Sequence, residues 1–358
     1  MNLVHKEFKL NGNSFSTLKE LLEFSKSISK EAFSFLEDWF SDKEYIQVQT
    51  SGSTGAPKDI LLKKEHIRNS ALATADFFSL YEKTTALCCL PVDFIAGKMM
   101  FVRALTLGWH IDVILPTSFP LNKIDKEYDF CAMVPLQLSN SLNKITLIDK
   151  LIVGGGAVSS NLETSIQKIP TKIYATYGMT ETITHIAVKP LNVSSNLPVR
   201  QTGVVERSYY QLLPNVSISQ DERNCLVIDA PEVSDEKITT NDVVEIISKE
   251  EFIWKGRYDN VINSGGIKLY PEEIEAKLSS IIDVRFFVAG IPDEKLGEKL
   301  VLVVEGNNSP VISNKVRNLT HEFSKFEVPK EIYFVTKFIA TQTKKIQRQK
   351  TLDLILKK

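Results

Sequence analysis

Apolar residues recur at helical spacing through residues 16–40 (STLKELLEFSKSISKEAFSFLEDWF), which predicts a helix with Ser16 or Thr17 as its N-cap. YIQVQT at 45–50 then alternates as a strand does and runs straight into SGSTGAPK at 51–58. ILL at 60–62 can resume a strand, and EHIRNSALATADFFSLY at 65–81 reads as an amphipathic helix. Short apolar runs follow at TALCCL (85–90), HIDVIL (110–115), DFCAMV (129–134) and KLIVGGG (150–156), separated by stretches of helical character. Strands alternating with helices predict an α/β domain with a largely parallel sheet. After Pro190 the texture changes, and residues 201–254 are rich in β-formers with turn signals at Pro214-Asn215, Asp221 to Asn224 and Asn241-Asp242. A β-rich subdomain is expected there. From Arg257 onward a short α+β unit is expected, with a helix near 313–325 and a strand near 331–335.

With 358 residues, two or three domains are expected at roughly 150 residues each. Lys plus Arg is 43 and Asp plus Glu is 44, a net charge of −1. That balance argues against nucleic acid or a membrane surface as a partner, because counterion release needs a clustered positive excess. No apolar run approaches the roughly 18 residues that span a bilayer. The start, MNLVHKEFKL, lacks the apolar core of a signal peptide. Cys88, Cys89, Cys131 and Cys225 form no C-x-x-C pair, so reduced thiols in a cytoplasmic protein are expected.

Six segments carry candidate chemistry. In the first, Thr50-Ser51-Gly52-Ser53-Thr54-Gly55-Ala56-Pro57-Lys58, hydroxyls and glycines are interleaved and a lysine closes the run. Glycines let backbone N–H groups approach an anion, hydroxyls donate to phosphate oxygens, and the lysine adds a point charge. It is not a Walker A loop, which needs G-x-x-x-x-G-K-[ST] opening a helix; Lys58 is followed by Asp59, and the loop lies between two strands. In the second, Tyr174 to Thr182, a strand ends in the Gly178 turn and presents Thr180 and Glu181. A carboxylate beside a hydroxyl suits Mg²⁺ shared with phosphate, and Tyr177 could stack on a base. Thr239 to Asp242 and Gly256 to Asp259 are the third and fourth. There a carboxylate can accept two hydrogen bonds from a ribose diol and Arg257 can join it; the alternative is two turns with a surface ion pair. The fifth is Asn263 to Lys268, with Gly265 and Gly266, followed by a helix start at Pro271. The sixth is Thr343 to Arg348, a basic run that alone reads as a solvated tail.

In this order, from Thr50 to Arg348, the six segments resemble the adenylate-forming superfamily of acyl-CoA ligases, luciferases and peptide-synthetase adenylation domains. The resemblance implies an ATP- and acid-binding N-terminal domain over 1–256. This would be α/β, with mostly parallel sheets layered with helices plus a β-rich subdomain. It also implies a small mobile α+β domain over 257–358. ATP, Mg²⁺ and coenzyme A are the implied cofactors, a small carboxylic acid the substrate, and a homodimer an admissible assembly. Residues Thr50 to Lys58 would hold the ATP β- and γ-phosphates. Gly154, Gly155, Gly156 and Ala157 would form a strand-end turn against the adenine, with Tyr177 on its face. Thr180 would contact the α-phosphate and Glu181 the Mg²⁺. Asp242 and Arg257 would bind the ribose. Asp259 matches the hinge, Gly265 and Gly266 the glycine turn of the thiol tunnel, and Lys345 the lysine that bridges α-phosphate and carboxylate during adenylation.

The chain departs from the superfamily pattern in several places. Lys344 stands where the last motif has glycine, Asn241 where the third has glycine, and Phe94 where a histidine is usual. The phosphate loop begins at residue 50, on the order of a hundred residues earlier than in long relatives, so a shortened first subdomain is expected. The compact chain and the segment Leu90 to Arg103 resemble the branch that ligates o-succinylbenzoate to coenzyme A in menaquinone synthesis. In that branch an arginine six positions after the glycine meets the substrate's second carboxylate, which assigns Phe94, Gly97 and Arg103 to the acid site. The alternative for Arg103 is a helix-surface residue bonded to a nearby acid. Two other readings stay open: a ligase for another aryl or acyl acid or for a carrier-protein thiol, and a nucleotide-binding relative without catalysis.

Overall fold

The computed structural model describes residues 4–49, 59–192, 194, 209–319, 323–341 and 346–356. Twelve described strands form one sheet, in the order Lys9–Leu10, His110–Val113, Thr85–Cys88, Tyr128–Met133, Ile148–Val153, Lys172–Gly178, His185–Pro190, Tyr210–Leu212, Glu251–Arg257, Ile238–Ser248, Cys225–Asp229, Ser217–Gln220. The first six pair in parallel and every later pairing is antiparallel. The β-rich segment after Pro190 thus continues the same sheet instead of standing apart.

The parallel half is covered on both faces, and the two-residue alternation of its strands divides the core in two. Ala86, Cys88, Phe130, Ala132, Ile152 and Tyr174 face one apolar cluster with the helices Lys64–Phe78 and Ile95–Leu107. Leu87, Cys89, Cys131, Met133, Leu151, Val153, Ile173 and Ala175 face the other, with the helices Pro135–Ser139 and Ser160–Ile166. All four cysteines are buried and free.

The helix expected over 16–40 is two helices, Leu18–Ile28 and Lys30–Phe40. Ser29 adopts an extended backbone (φ −165°, ψ 159°), ending the first helix, while its side chain accepts from Ala32 N at 3.0 Å and caps the second. The helical period continues across the break because both helices bury one face in the same core. Thr17 is the N-cap of the first. The helix expected near 313–325 is Pro310–Arg317, started by proline at its first position.

Beyond Arg257 a second sheet orders Ile267–Leu269, Ile262–Ser264, Gly297–Glu305 and Phe286–Asp293, with Glu331–Val335 parallel to Gly297–Glu305. Its alternation also separates two clusters, one with the helix Pro271–Leu278 and one with Phe338 and Leu352. The two halves touch where Ser160 Oγ donates to Ala276 O at 2.9 Å and Lys255 pairs with Glu273 at 3.5 Å. Among the described residues no helix is long and apolar enough to cross a membrane.

Gly97 lies in the first turn of Ile95–Leu107, where that helix crosses the chain leaving Thr85–Cys88; a Cβ there would sit 2.2 Å from Pro91 O. The structure therefore supplies a packing reason for this glycine. Gly97→Ala is expected to cost about 1–3 kcal/mol in urea unfolding, because the helix must retreat from backbone that cannot yield.

Candidate functional site

Several of the candidate residues lie at the C-terminal ends of the parallel strands, where ligands of open α/β sheets bind. Gly154 to Ala157 follow Ile148–Val153 directly. Next to it, Lys172–Gly178 ends in Tyr177 and Gly178, and a single 3₁₀ turn, Thr180–Thr182, follows. The Thr182 hydroxyl braces that turn, accepting from Met179 N at 3.0 Å and donating to Thr184 O at 2.7 Å. Thr180 is half-buried and Glu181 is exposed, so the carboxylate is open to solvent and ligand.

The phosphate-loop residues Thr50, Ser51, Gly52, Ser53, Thr54, Gly55 and Lys58 lie outside the described residues, as do Lys344 and Lys345. The strands on either side of the loop are described. Tyr45–Gln49 and Asp59–Lys63 pair antiparallel with Gln49 opposite Asp59, which pins both ends of the loop together. Asp59–Lys63 also packs against the Thr180–Thr182 turn.

Asp242 and Arg257 stand opposite each other across an antiparallel pair. Asp242 is buried; its carboxylate accepts from Tyr177 Oη at 2.7 Å and Trp254 Nε1 at 3.2 Å, with Arg257 Nη1 at 3.8 Å. Burial, reinforced by the Asp242 charge, pushes the Tyr177 phenol far above its usual range, so it stays a donor. The Tyr177 ring meets Tyr210 and Phe252 edge-on, at centroid distances of 5.7 and 5.2 Å. The residue assigned by resemblance to the adenine face thus also anchors the carboxylate assigned to the ribose. Asp259 accepts from Arg257 Nη2 at 3.3 Å and from Asn241 Nδ2 at 3.4 Å. Asn241, which replaces the usual glycine, therefore ties the strand to the turn at Asp259. Gly265 and Gly266 (φ +60° and +81°) form the two-residue turn of a hairpin, where positive φ at both positions favours glycine.

Arg103 is not a surface residue. It sits on the inner side of Ile95–Leu107 at 1% exposure. Its Nη1 touches Met100 Sδ at 3.8 Å, while Nε and Nη2 have no hydrogen-bond partner among the described residues. Those two nitrogens form one edge of the guanidinium, the edge that grips a carboxylate with two parallel hydrogen bonds. Burial alone pulls the group down to about 9, so it remains charged at neutral pH. Phe94, the residue before this helix, is exposed.

Among the described residues no group of three or more His, Cys, Asp or Glu could hold a metal ion by itself. A single exposed carboxylate at Glu181 fits Mg²⁺ that arrives with phosphates, because that ion keeps most of its water and takes one or two protein carboxylates. Sequence reasoning included Thr182 in the segment but did not assign its hydroxyl the bracing contacts seen here.

The model of the AMP-binding enzyme family matches residues 41–219. An acyl-CoA synthetase (AMP-forming)/AMP-acid ligase II-like protein from Dyadobacter fermentans is 35% identical, with a TM-score of 0.60, over 93% of this chain and 98% of that one. An O-succinylbenzoate coenzyme A synthetase from Bacillus subtilis, solved with ATP and magnesium ion, shares the fold at a TM-score of 0.72 over 96% of this chain and 84% of that one. Its identity is 17%. A 2-succinylbenzoate–CoA ligase of Bacillus mycoides is 26% identical over 98% of this chain and 77% of its own length. One from Listeria monocytogenes is 25% identical over 88% and 71%.

Tyr177→Phe removes the donor to Asp242 and leaves the aromatic cluster in place. The ATP KM is expected to rise about 10-fold, with the acid KM unchanged, in a pyrophosphate-release assay.

Proposed function

The chain belongs to the AMP-binding enzyme family, and we propose that it is an ATP-dependent, AMP-forming acid–CoA ligase acting on o-succinylbenzoate in menaquinone biosynthesis. The observation that carries the substrate is Arg103. A buried guanidinium with no anion is costly, because desolvation is not repaid by pairing. An acid with one carboxylate, such as a fatty acid or benzoate, spends it in the reaction and leaves Arg103 unpaired. A dicarboxylic acid brings a second carboxylate with two acceptors for the open edge. The ligases of Bacillus mycoides and Listeria monocytogenes support the same substrate by name.

In the proposed reaction the acid's carboxylate attacks the ATP α-phosphorus. A bond forms between a carboxylate oxygen and the α-phosphorus, the bond from that phosphorus to the oxygen bridging to the β-phosphate breaks, and pyrophosphate leaves with that oxygen. The coenzyme A thiolate then attacks the acyl carbon and AMP departs. Two anions must approach in the first step, so fixed positive charge and donors stabilise it most. Those groups are the loop Thr50 to Lys58, Thr180 on the α-phosphate, Glu181 on Mg²⁺, and Lys345 between α-phosphate and carboxylate. Asp242 and Arg257 hold the ribose, and Gly154 to Ala157 with Tyr177 border the base. Residues 257–358 then turn about Asp259, taking Lys345 away and bringing Gly265 and Gly266 to the thiol path, so one site serves two half-reactions.

The direct test is thioester formation from ATP and coenzyme A with o-succinylbenzoate beside benzoate and a fatty acid; only the first is expected to turn over efficiently. Arg103→Met is expected to raise the melting temperature of the ligand-free protein, by relief of about 1–4 kcal/mol. The same change should lower kcat/KM for o-succinylbenzoate by about 100-fold. A destabilised variant that keeps the substrate would contradict the assignment. Lys345→Ala is expected to abolish adenylate formation while sparing thioester formation from preformed acyl-adenylate, measured as separate half-reactions.

A further inference from the structure

The strand Glu251–Arg257 runs antiparallel to Ile238–Ser248, and its register slips by one residue at Lys255. Asp242 lies opposite Arg257 and Val243 opposite Gly256, but Val244 lies opposite Trp254. Lys255 is thus the extra residue of a β-bulge. Gly256 completes it at φ +143°, a backbone conformation that residues with a Cβ rarely adopt. Alternation then decides the faces. In an unbroken strand Lys255 and Arg257 would share the face of Asp242, with Trp254 on the opposite one. The bulge exchanges the two. Lys255 turns away and pairs with Glu245 at 2.8 Å, while Trp254 joins Arg257 beside Asp242.

Two neutral donors divide the oxygens of this buried carboxylate between them. Tyr177 Oη donates to Oδ2 at 2.7 Å and Trp254 Nε1 to Oδ1 at 3.2 Å. Arg257 Nη1, 3.8 Å from Oδ1, is beyond hydrogen-bond distance. The backbone of Asp242 is held as well, its N–H donating to Thr240 Oγ1 at 3.1 Å. The last torsion of an aspartate is intrinsically loose, so a carboxylate held at one oxygen can still turn. Held at both, it cannot. A carboxylate offers about four acceptor sites, and two donors leave the rest open to a ligand. An indole N–H is a donor only, so the contact from Trp254 can hold an oxygen in place and do nothing else.

We propose that Trp254 is a positioning residue for the nucleotide: its indole N–H fixes the Asp242 carboxylate so that the acceptor sites left open meet the two ribose hydroxyls. This rests on the reading of Asp242 as the ribose-binding carboxylate given above. Trp254 acts through Asp242 and touches no part of the nucleotide itself. A ring without the N–H could fill the same space but would leave the carboxylate free to turn. The bulge at Lys255 and Gly256 is the backbone device that brings this donor and Arg257 to one face of the strand.

The test is equilibrium binding of ATP and of 2′,3′-dideoxyATP, each with Mg²⁺, to the full-length protein by calorimetry. No acid is present, so the result does not depend on which acid is the substrate. The wild type is expected to bind ATP the more tightly. Trp254→Phe is expected to weaken ATP about five-fold and to leave the dideoxy nucleotide within about two-fold, so the preference shrinks. Trp254→His, which can place a ring N–H where the indole one lies, is expected to restore most of it. A folded Trp254→Phe that weakens both nucleotides by the same factor, or keeps the full preference, overturns the role of Trp254. A Trp254→His that discriminates no better than Trp254→Phe does the same. Should Trp254→Phe fail to fold, Trp254→Tyr, whose ring carries no donor at that position, is read by the same criteria. A wild type that binds the two nucleotides equally overturns the reading of Asp242 itself, whatever the variants do.

Discussion

A parallel sheet must be covered on both faces, and the rest of this molecule follows from that constraint. Each central strand alternates between two apolar clusters, so neither face has room for a polar side chain that reaches a ligand. Chemistry is left to the strand ends. Gly154 to Ala157, Met179 to Glu181 and Leu90 to Gly97 all lie just beyond a strand's last residue, and the strand order places those three ends within one stretch of the sheet. The antiparallel half then carries Asp242 and Arg257 back to the same region, where the Tyr177 hydroxyl joins the two halves. Segments far apart in sequence, Tyr177 on one strand and Asp242 and Arg257 on two others, meet for a topological reason.

Arg103 is the exception to this rule. It stands within the first of the two cores, among residues that exclude water, on a helix whose other inward positions are Met99, Met100, Phe101, Val102, Ala104 and Leu105. Packing gives no reason for a cation there. The function proposed above gives one, because a carboxylate is bound most selectively by a charge that has no water and no other partner to leave. The same desolvation that penalises the empty site sharpens it.

The strands and helices of the parallel half were legible from apolar runs and alternation, because burial on both faces leaves little else at those positions. Glu331–Val335 fell where the pattern placed it. The break at Ser29 was not legible, since two amphipathic helices on one core continue a single period. Nor was the joining of the β-rich segment to the main sheet, because pairing across Tyr210–Leu212 is long-range and leaves no local mark. The pairing of Asp242 with Arg257 could be anticipated from chemistry and spacing.

The described residues on either side of 342–345 are anchored within the small unit. On one side, Ala340 bridges Ile346, and Gln347 N donates to Ile339 O at 2.8 Å. On the other, Arg348 begins the final helix and is held inside the small unit by Glu275 Oε1 at 2.7 Å and Val288 O at 3.2 Å. Leu352 of that helix is buried against Phe287 and Phe338. Ile346 and Leu352 thus pack into the second sheet's own core. A rotation of the small unit would carry Ile346 and Arg348 with it, whereas Asp242, Glu181 and Arg103 belong to the first sheet and its helices. The movement proposed above would therefore need no local unfolding of this segment. The contacts of Asp259, proposed above as the hinge, to Arg257 and Asn241 are solvent-exposed and cheap to exchange.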